Sequence, residues 1–206
     1  MPSPFEILNT LALAANKFMT ISIIWHLIVL IFIIALISGK KFNTKHVSAG
    51  LSIFLLSVGI IAVLVSNPFN GIMFALAALV FGIMTLKFKP EPIGLKWDYV
   101  SVSGLILLIF GFIYPHFLDG DSYFQYLYAA PMGVIPCPTL SAFIGISLML
   151  HSFGSKKWML VAALFGLFYG IFGVLRLKVY LDIPLIAGAL LSMGYALNMI
   201  KIRAEK

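Results

Sequence analysis

An all-α, polytopic integral membrane protein with seven transmembrane helices is the fold this 206-residue sequence predicts, and its composition, run lengths and charge placement all point the same way. Hydrophobic residues make up 62% of the chain and charged ones only 10%, against about 45–50% and about 25% in a soluble globular domain. The few charges are bunched, leaving uncharged runs of roughly 15–20 residues, near the length that a hydrocarbon core of about 30 Å requires. Barrel strands are shorter, about 9–11 residues, and alternate in polarity, so length assigns these uniformly apolar runs to helices. The same composition excludes a soluble domain and a disordered chain. It excludes a nucleic-acid-binding module as well, in spite of a net charge of +7. The partner it implies is the lipid bilayer.

Residues 1–18 come first. Ser3 and Pro4 form a helix start signal, and apolar residues then recur at helical spacing as far as Lys17. This stretch reads either as an interfacial helix or as an extension of the first span, the extension being the simpler reading. It lacks the basic region and the cleavage site of a signal peptide, so insertion falls to the first span itself. Seven spans follow, at 19–38, 48–66, 71–86, 99–114, 138–152, 158–175 and 181–200, within a single domain covering 1–206. The third, fourth and fifth are short and are expected to extend by a turn. Of the 14 cations, 11 follow the first, third, fifth and seventh spans, and only Lys17, Arg176 and Lys178 fall on the opposite side. The positive-inside rule therefore places the N-terminus outside and the C-terminus in the cytoplasm of a cytoplasmic (inner) membrane. In the sixth span Gly166, Gly170 and Gly173 make one small face. It fits close packing inside the chain better than a dimer seam, although a homo-oligomer stays open.

The fourth connection, 115–137, differs from the rest. It carries His116, Asp119 and Asp121, the aromatic residues Tyr123, Phe124, Tyr126 and Tyr128, three prolines and the sole cysteine, Cys137. Pro136 and Pro138 push Ile135 and Cys137 toward extended backbone, so the chain enters the membrane region non-helically. Pro138 suits the first position of the fifth helix, which puts Cys137 at the N-cap. A thiol there faces the positive end of the helix dipole, which favours the thiolate. Irregular backbone at membrane depth must be buried in protein or line a cavity, so 130–139 is expected to face away from lipid.

The run Tyr114-Pro115 followed by Pro131-Met-Gly133-Val-Ile-Pro136-Cys137-Pro138-Thr139 resembles the signature of an uncharacterised family of small multi-pass bacterial membrane proteins. Asn67-Pro68 and Asp182 look similar as well, and the resemblance spans about residues 40–200. It implies a topology and a site, and no activity. This chain departs from that pattern where Gly120 is followed by Asp121 in place of a histidine.

Candidate chemistry gathers on the predicted outer side. Cys137, Asp182, Arg176, His26, Tyr128 and Thr139 are the candidate binding residues for a small solute or ion. His116, Asp119, Asp121 and Cys137 offer a donor set for zinc or a similar ion, although their spacing matches no recognised metal motif. Cys137 could instead do thiol chemistry with an external partner, or simply fill a tight proline-flanked turn. His26 lies in the first span as a proton relay or as a neutral hydrogen-bonding group between helices. Asp182 is expected to pair with Arg176, tying two helix ends or orienting a substrate. One cysteine allows no intrachain disulfide, and no motif for a phosphate, haem or retinal cofactor is present, so the cofactor is left unassigned. The function expected is binding or transport of a small solute or ion near the outer face, with a non-enzymatic role preferred and catalysis left open. The alternatives are a membrane thiol oxidoreductase or assembly factor using Cys137, and a non-catalytic interaction scaffold.

Overall fold

The computed structural model describes residues 2–120 and 122–204, with side chains described as far as residue 198. The chain is nearly all helix, at 78% of residues. In order the helices are α1 (Pro4–Lys17), α2 (Met19–Ile37), α3 (Thr44–Leu64), α4 (Pro68–Leu86), α5 (Tyr99–Ile113), the single turn α6 (Tyr126–Ala129), α7 (Pro136–Met149), α8 (Lys156–Ile171) and α9 (Ile183–Ala204). A two-residue ribbon, β1 (Phe42–Asn43) against β2 (Pro92–Ile93), ties the connection after α2 to the one after α4. Among the described residues five helical segments are long and apolar enough to cross a membrane: Met19–Ile37, Thr44–Leu64, Pro68–Leu86, Lys156–Arg176 and Tyr180–Asn198. The apolar helices α5 and α7 are shorter. At 1.5 Å per residue they reach only about 22 and 21 Å.

Local chemistry sets the helix starts. Ser3 and Glu6 form a reciprocal capping box on α1, and Asn43, Asn67, Asp98 and Ser155 each accept a backbone N–H at the start of α3, α4, α5 and α8. α1 is a helix of its own, parted from α2 at Phe18, rather than an extension of the first span. Leu11 and Ala14 pack with Tyr114, Ile135, Leu177 and Val179, so α1 lies across one end of the bundle.

The centre of the bundle is α7, in which every residue except Cys137 is buried. α5 lies directly on it. A Cβ on Gly104 would come within 2.6 Å of the Gly145 carbonyl, and one on Gly145 within 2.6 Å of the Gly104 carbonyl, so each backbone takes the space of the other's side chain. On another side, Trp158 of α8 is fully buried, donates to Ser147 Oγ at 3.0 Å and packs edge-on against Phe81 of α4 at 4.5 Å. The glycine face of α8 is used inside the chain: Gly166 lies on Ile144 and Ala189, and Gly170 on Ile186.

Gly104→Leu is expected to lower stability by at least the roughly 1–3 kcal/mol of an overpacked core. Gly82→Ala, where a Cβ meets nothing within 4 Å, should raise it by about 0.8 kcal/mol through helix propensity. Denaturation midpoints of the purified protein in detergent measure both.

Candidate functional site

Two proline-bearing breaks build the site. α5 ends because Tyr114 precedes Pro115 and is held out of the helical region, at φ −29° and ψ 101°. α7 begins because Pro136, whose φ is already helical, occupies its first turn behind an extended Ile135. The helix thus starts two residues before the position expected from Pro138, and Cys137 is its second residue rather than its N-cap. The four N–H groups that such an end leaves without a helical partner belong to residues 135–138. Ile135 N–H bonds to the Pro131 carbonyl at 3.1 Å, and two of the other three residues are prolines with no N–H at all. That is what lets a helix N-terminus be buried here.

Ahead of it, residues 130–135 run through a buried, non-helical turn. Gly133 has φ +79° and lies against the Trp25 ring, where a Cβ would collide. Its N–H donates to Thr139 Oγ1 at 2.8 Å, and its carbonyl accepts from Ser57 Oγ at 2.6 Å. Thr139 Oγ1 in turn donates to the Ile135 carbonyl at 2.6 Å. Thr139 is therefore the clasp of this turn.

Against the Cys137 side of that helix start lies Asp182, 1% exposed, at the entry to α9. Tyr114 Oη donates to its Oδ1 at 2.7 Å, and Cys137 Sγ donates to its Oδ2 at 3.1 Å. Gly173 makes room, since a Cβ there would collide with the Asp182 carboxylate. The expected Arg176–Asp182 pair does not form. Arg176 is exposed at the end of the π-turn Phe172–Arg176, which follows α8, while both carboxylate oxygens are taken by donors from α7 and the end of α5. Cys137 thus acts as a hydrogen-bond donor to a carboxylate.

The remaining candidates are dispersed. His26 lies in α2 with Nδ1 2.8 Å from the Ser22 carbonyl and Nε2 2.7 Å from the Phe112 carbonyl. The latter is one of the last carbonyls of α5, so the imidazole caps that helix end across the bundle. Tyr128 is exposed on α6. Of the metal set, His116 packs on Phe117 with ring centroids 4.1 Å apart, Asp119 is exposed with its N–H on Asn16 Oδ1, and Asp121 lies outside the described residues. Among the described residues no three His, Cys, Asp or Glu side chains converge to hold a metal ion.

Next to Asp182 along the chain, residues 177–181 line an open cavity of about 520 Å³ with Leu8 of α1 and His116. Most of its lining is apolar. Its polar side chains include Lys178, held at φ +61°, and His116, whose imidazole burial holds below its ordinary pKa.

A second polar cluster, at the opposite end of α5, had no signature in the sequence. His151 Nε2 meets Asp98 Oδ2 at 3.0 Å and Ser101 Oγ at 3.3 Å, while its Nδ1 meets Tyr195 Oη at 2.7 Å. Aspartate and serine share one ring nitrogen, so the relay order of a Ser-His-Asp triad is not made. The cluster ties α5 and α9 to the turn after α7. In that turn His151, Ser152 and Phe153 all have φ between +48° and +58°, a conformation costing about 1–2 kcal/mol per residue.

Compared with known proteins, this chain matches no family model, no curated protein and no solved structure.

Asp182→Leu is expected to strand two donors, at about 1–3 kcal/mol each, whereas Cys137→Ser keeps a donor and should leave the denaturation midpoint nearly unchanged. The Asp98 carboxyl sits below its usual range: partial burial pushes it up, but the Ser101 N–H, the His151 charge and the Ser101 hydroxyl together outweigh that. Its contribution to stability is therefore full above the ordinary carboxylate pKa and is lost as pH falls through the lower folded value. Midpoints measured from about pH 6 down to about pH 3 should fall less steeply in Asp98→Asn than in the unaltered protein.

Proposed function

We propose that this chain is a seven-helix protein of a cytoplasmic membrane, N-terminus outside and C-terminus inside, that binds a small solute at its outer face and passes it across the membrane. The cation distribution supports the orientation, with 11 of 14 on the side assigned to the cytoplasm. α5 and α7 supply the fourth and fifth spans, which brings the five longer helices to seven. The shortness of α7 fits that role because it is wrapped in protein and needs no lipid-facing length. The resemblance of residues 131–139 to a family of small bacterial membrane proteins agrees with this topology and adds no activity.

The observation that carries the reading is the cavity beside the loop that delivers Asp182. Apolar walls from Leu8, Leu177, Val179 and Leu181, with the Lys178 ammonium and the His116 ring among them, suit a small amphipathic anion such as a short-chain carboxylate. Buried Asp182 and Tyr114, with half-buried Cys137, are polar groups next to that loop. Cys137 engaged as a donor to Asp182 favours this reading over a thiol enzyme.

A reporter cysteine tests both parts. In a Cys137→Ser chain, Tyr180→Cys in the cavity lining should react with a membrane-impermeant maleimide on intact cells, while Lys156→Cys should react only after permeabilisation. Butyrate should slow the reaction at position 180 severalfold, and Lys178→Gln should remove that protection. Equal rates with and without butyrate would sink the solute, and reversed sidedness would overturn the orientation.

A further inference from the structure

α2 touches the bundle through few side chains, chiefly Trp25, His26, Val29 and Leu36. Between it and α3 an apolar groove of about 210 Å³ is left. Val29 and Phe32 form one wall, Phe54 and Gly50 the other, and Ile146 of α7 the floor. It runs from His46, at the start of α3, to Phe54, a distance of about 12 Å along the helix. Gly50 faces it with nothing within 4 Å of a Cβ. A glycine inside a helix is destabilising by roughly 0.8–1 kcal/mol, and no neighbour demands it here. What its missing side chain leaves is the open groove.

The mouth of the groove is basic. Phe42 and His46 frame it, and Lys40 Nζ lies 5.7 Å from the Phe42 ring centroid. Lys45 and Lys41 flank them, and the β1–β2 pairing brings the lysine-bearing connection after α4 to the same end. Of the two carboxylates there, Asp98 is engaged by Ser101 and His151, which leaves Glu91 against six lysines. An acyl chain gains no hydrophobic free energy by leaving bilayer for groove, since both are apolar. Selection must come from the headgroup.

We propose that this groove is a binding site for one anionic phospholipid, with an acyl chain between α2 and α3 and the phosphate against Lys40, Lys45 and His46. The site is separate from the cavity near Asp182 and does not depend on what that cavity binds.

Native mass spectrometry tests it, on detergent-solubilised protein given equal amounts of phosphatidylglycerol and phosphatidylcholine with identical chains. The unaltered protein should retain one phosphatidylglycerol in preference to phosphatidylcholine. Gly50→Phe, which fills the groove, should lose that lipid while keeping its unfolding midpoint in phosphatidylcholine nanodiscs. Lys40→Gln with Lys45→Gln should weaken phosphatidylglycerol retention by roughly thirtyfold, the combined attraction of two lysines for an anionic headgroup, and leave phosphatidylcholine retention as it was. Equal retention of the two lipids would mean a charge-blind acyl chain and overturn the proposal. So would an unchanged phosphatidylglycerol adduct in Gly50→Phe, or a dimer that Gly50→Phe dissociates, which would assign the groove to a second copy.

Discussion

Burial of α7 is the constraint from which the other arrangements follow. This helix is 14 residues long and buried everywhere except at Cys137, and non-α-helical backbone adjoins both its ends. Where that backbone is buried, protein groups must satisfy it. At one end the Gly133 peptide is held by Thr139 and Ser57, and two prolines remove N–H groups that would otherwise need partners. At the other end Ser101 Oγ donates to the Met149 carbonyl, and Ser152 Oγ to that of Ser147. Each clasp recruits a different neighbour, and together they fix where α3 and α5 stand around the central helix. The glycine contacts between α5 and α7 then follow, since only bare backbone fits at that separation.

Asp182 occupies the place where this construction leaves a polar edge. A carboxylate buried in an apolar bundle is costly unless it is hydrogen-bonded, and Tyr114 and Cys137 meet that need from two other elements. The same breaks that shape the backbone supply these donors: Tyr114 is the residue that ends α5, and Cys137 is the one non-proline in the first turn of α7. The π-turn after α8 and the left-handed Lys178 bring the chain from Gly173 round to Asp182 in few residues, and the cavity opens beside that loop.

Much of the architecture can be read from residue order. Apolar run length predicts the helical segments, and Ser3, Asn67-Pro68 and the Pro136–Pro138 pair mark where elements begin. The unusual character of 130–139 is visible too, because two prolines around one residue cannot continue a helix backwards. Pairing is less legible. Arg176 and Asp182 are close in sequence and opposite in charge, yet Arg176 is left on the outer surface of a π-turn while Asp182 is turned inward. His151, Asp98 and Tyr195 carry no mutual spacing signal, since they meet only because the start of α5 and the turn after α7 come against the side of α9. His26 reads as an intramembrane ionisable group, whereas in the fold it meets the Phe112 carbonyl at the end of α5.

By itself the sequence determines that this is an apolar helical protein with charge confined to the ends of its runs. It also determines that the chain breaks at Tyr114-Pro115 and again at Pro136. These are properties of composition and of local sterics, which act within a few residues. Only the tertiary structure decides which polar groups meet: that Asp182 takes its hydrogen bonds from Tyr114 and Cys137, that α1 lies across the bundle end, and that a groove stays open beside Gly50. In a chain so uniformly apolar, helix faces are nearly alike in hydropathy, so periodicity cannot choose between neighbours. Close backbone approach and the satisfaction of a few buried polar atoms make that choice, and both require the third dimension.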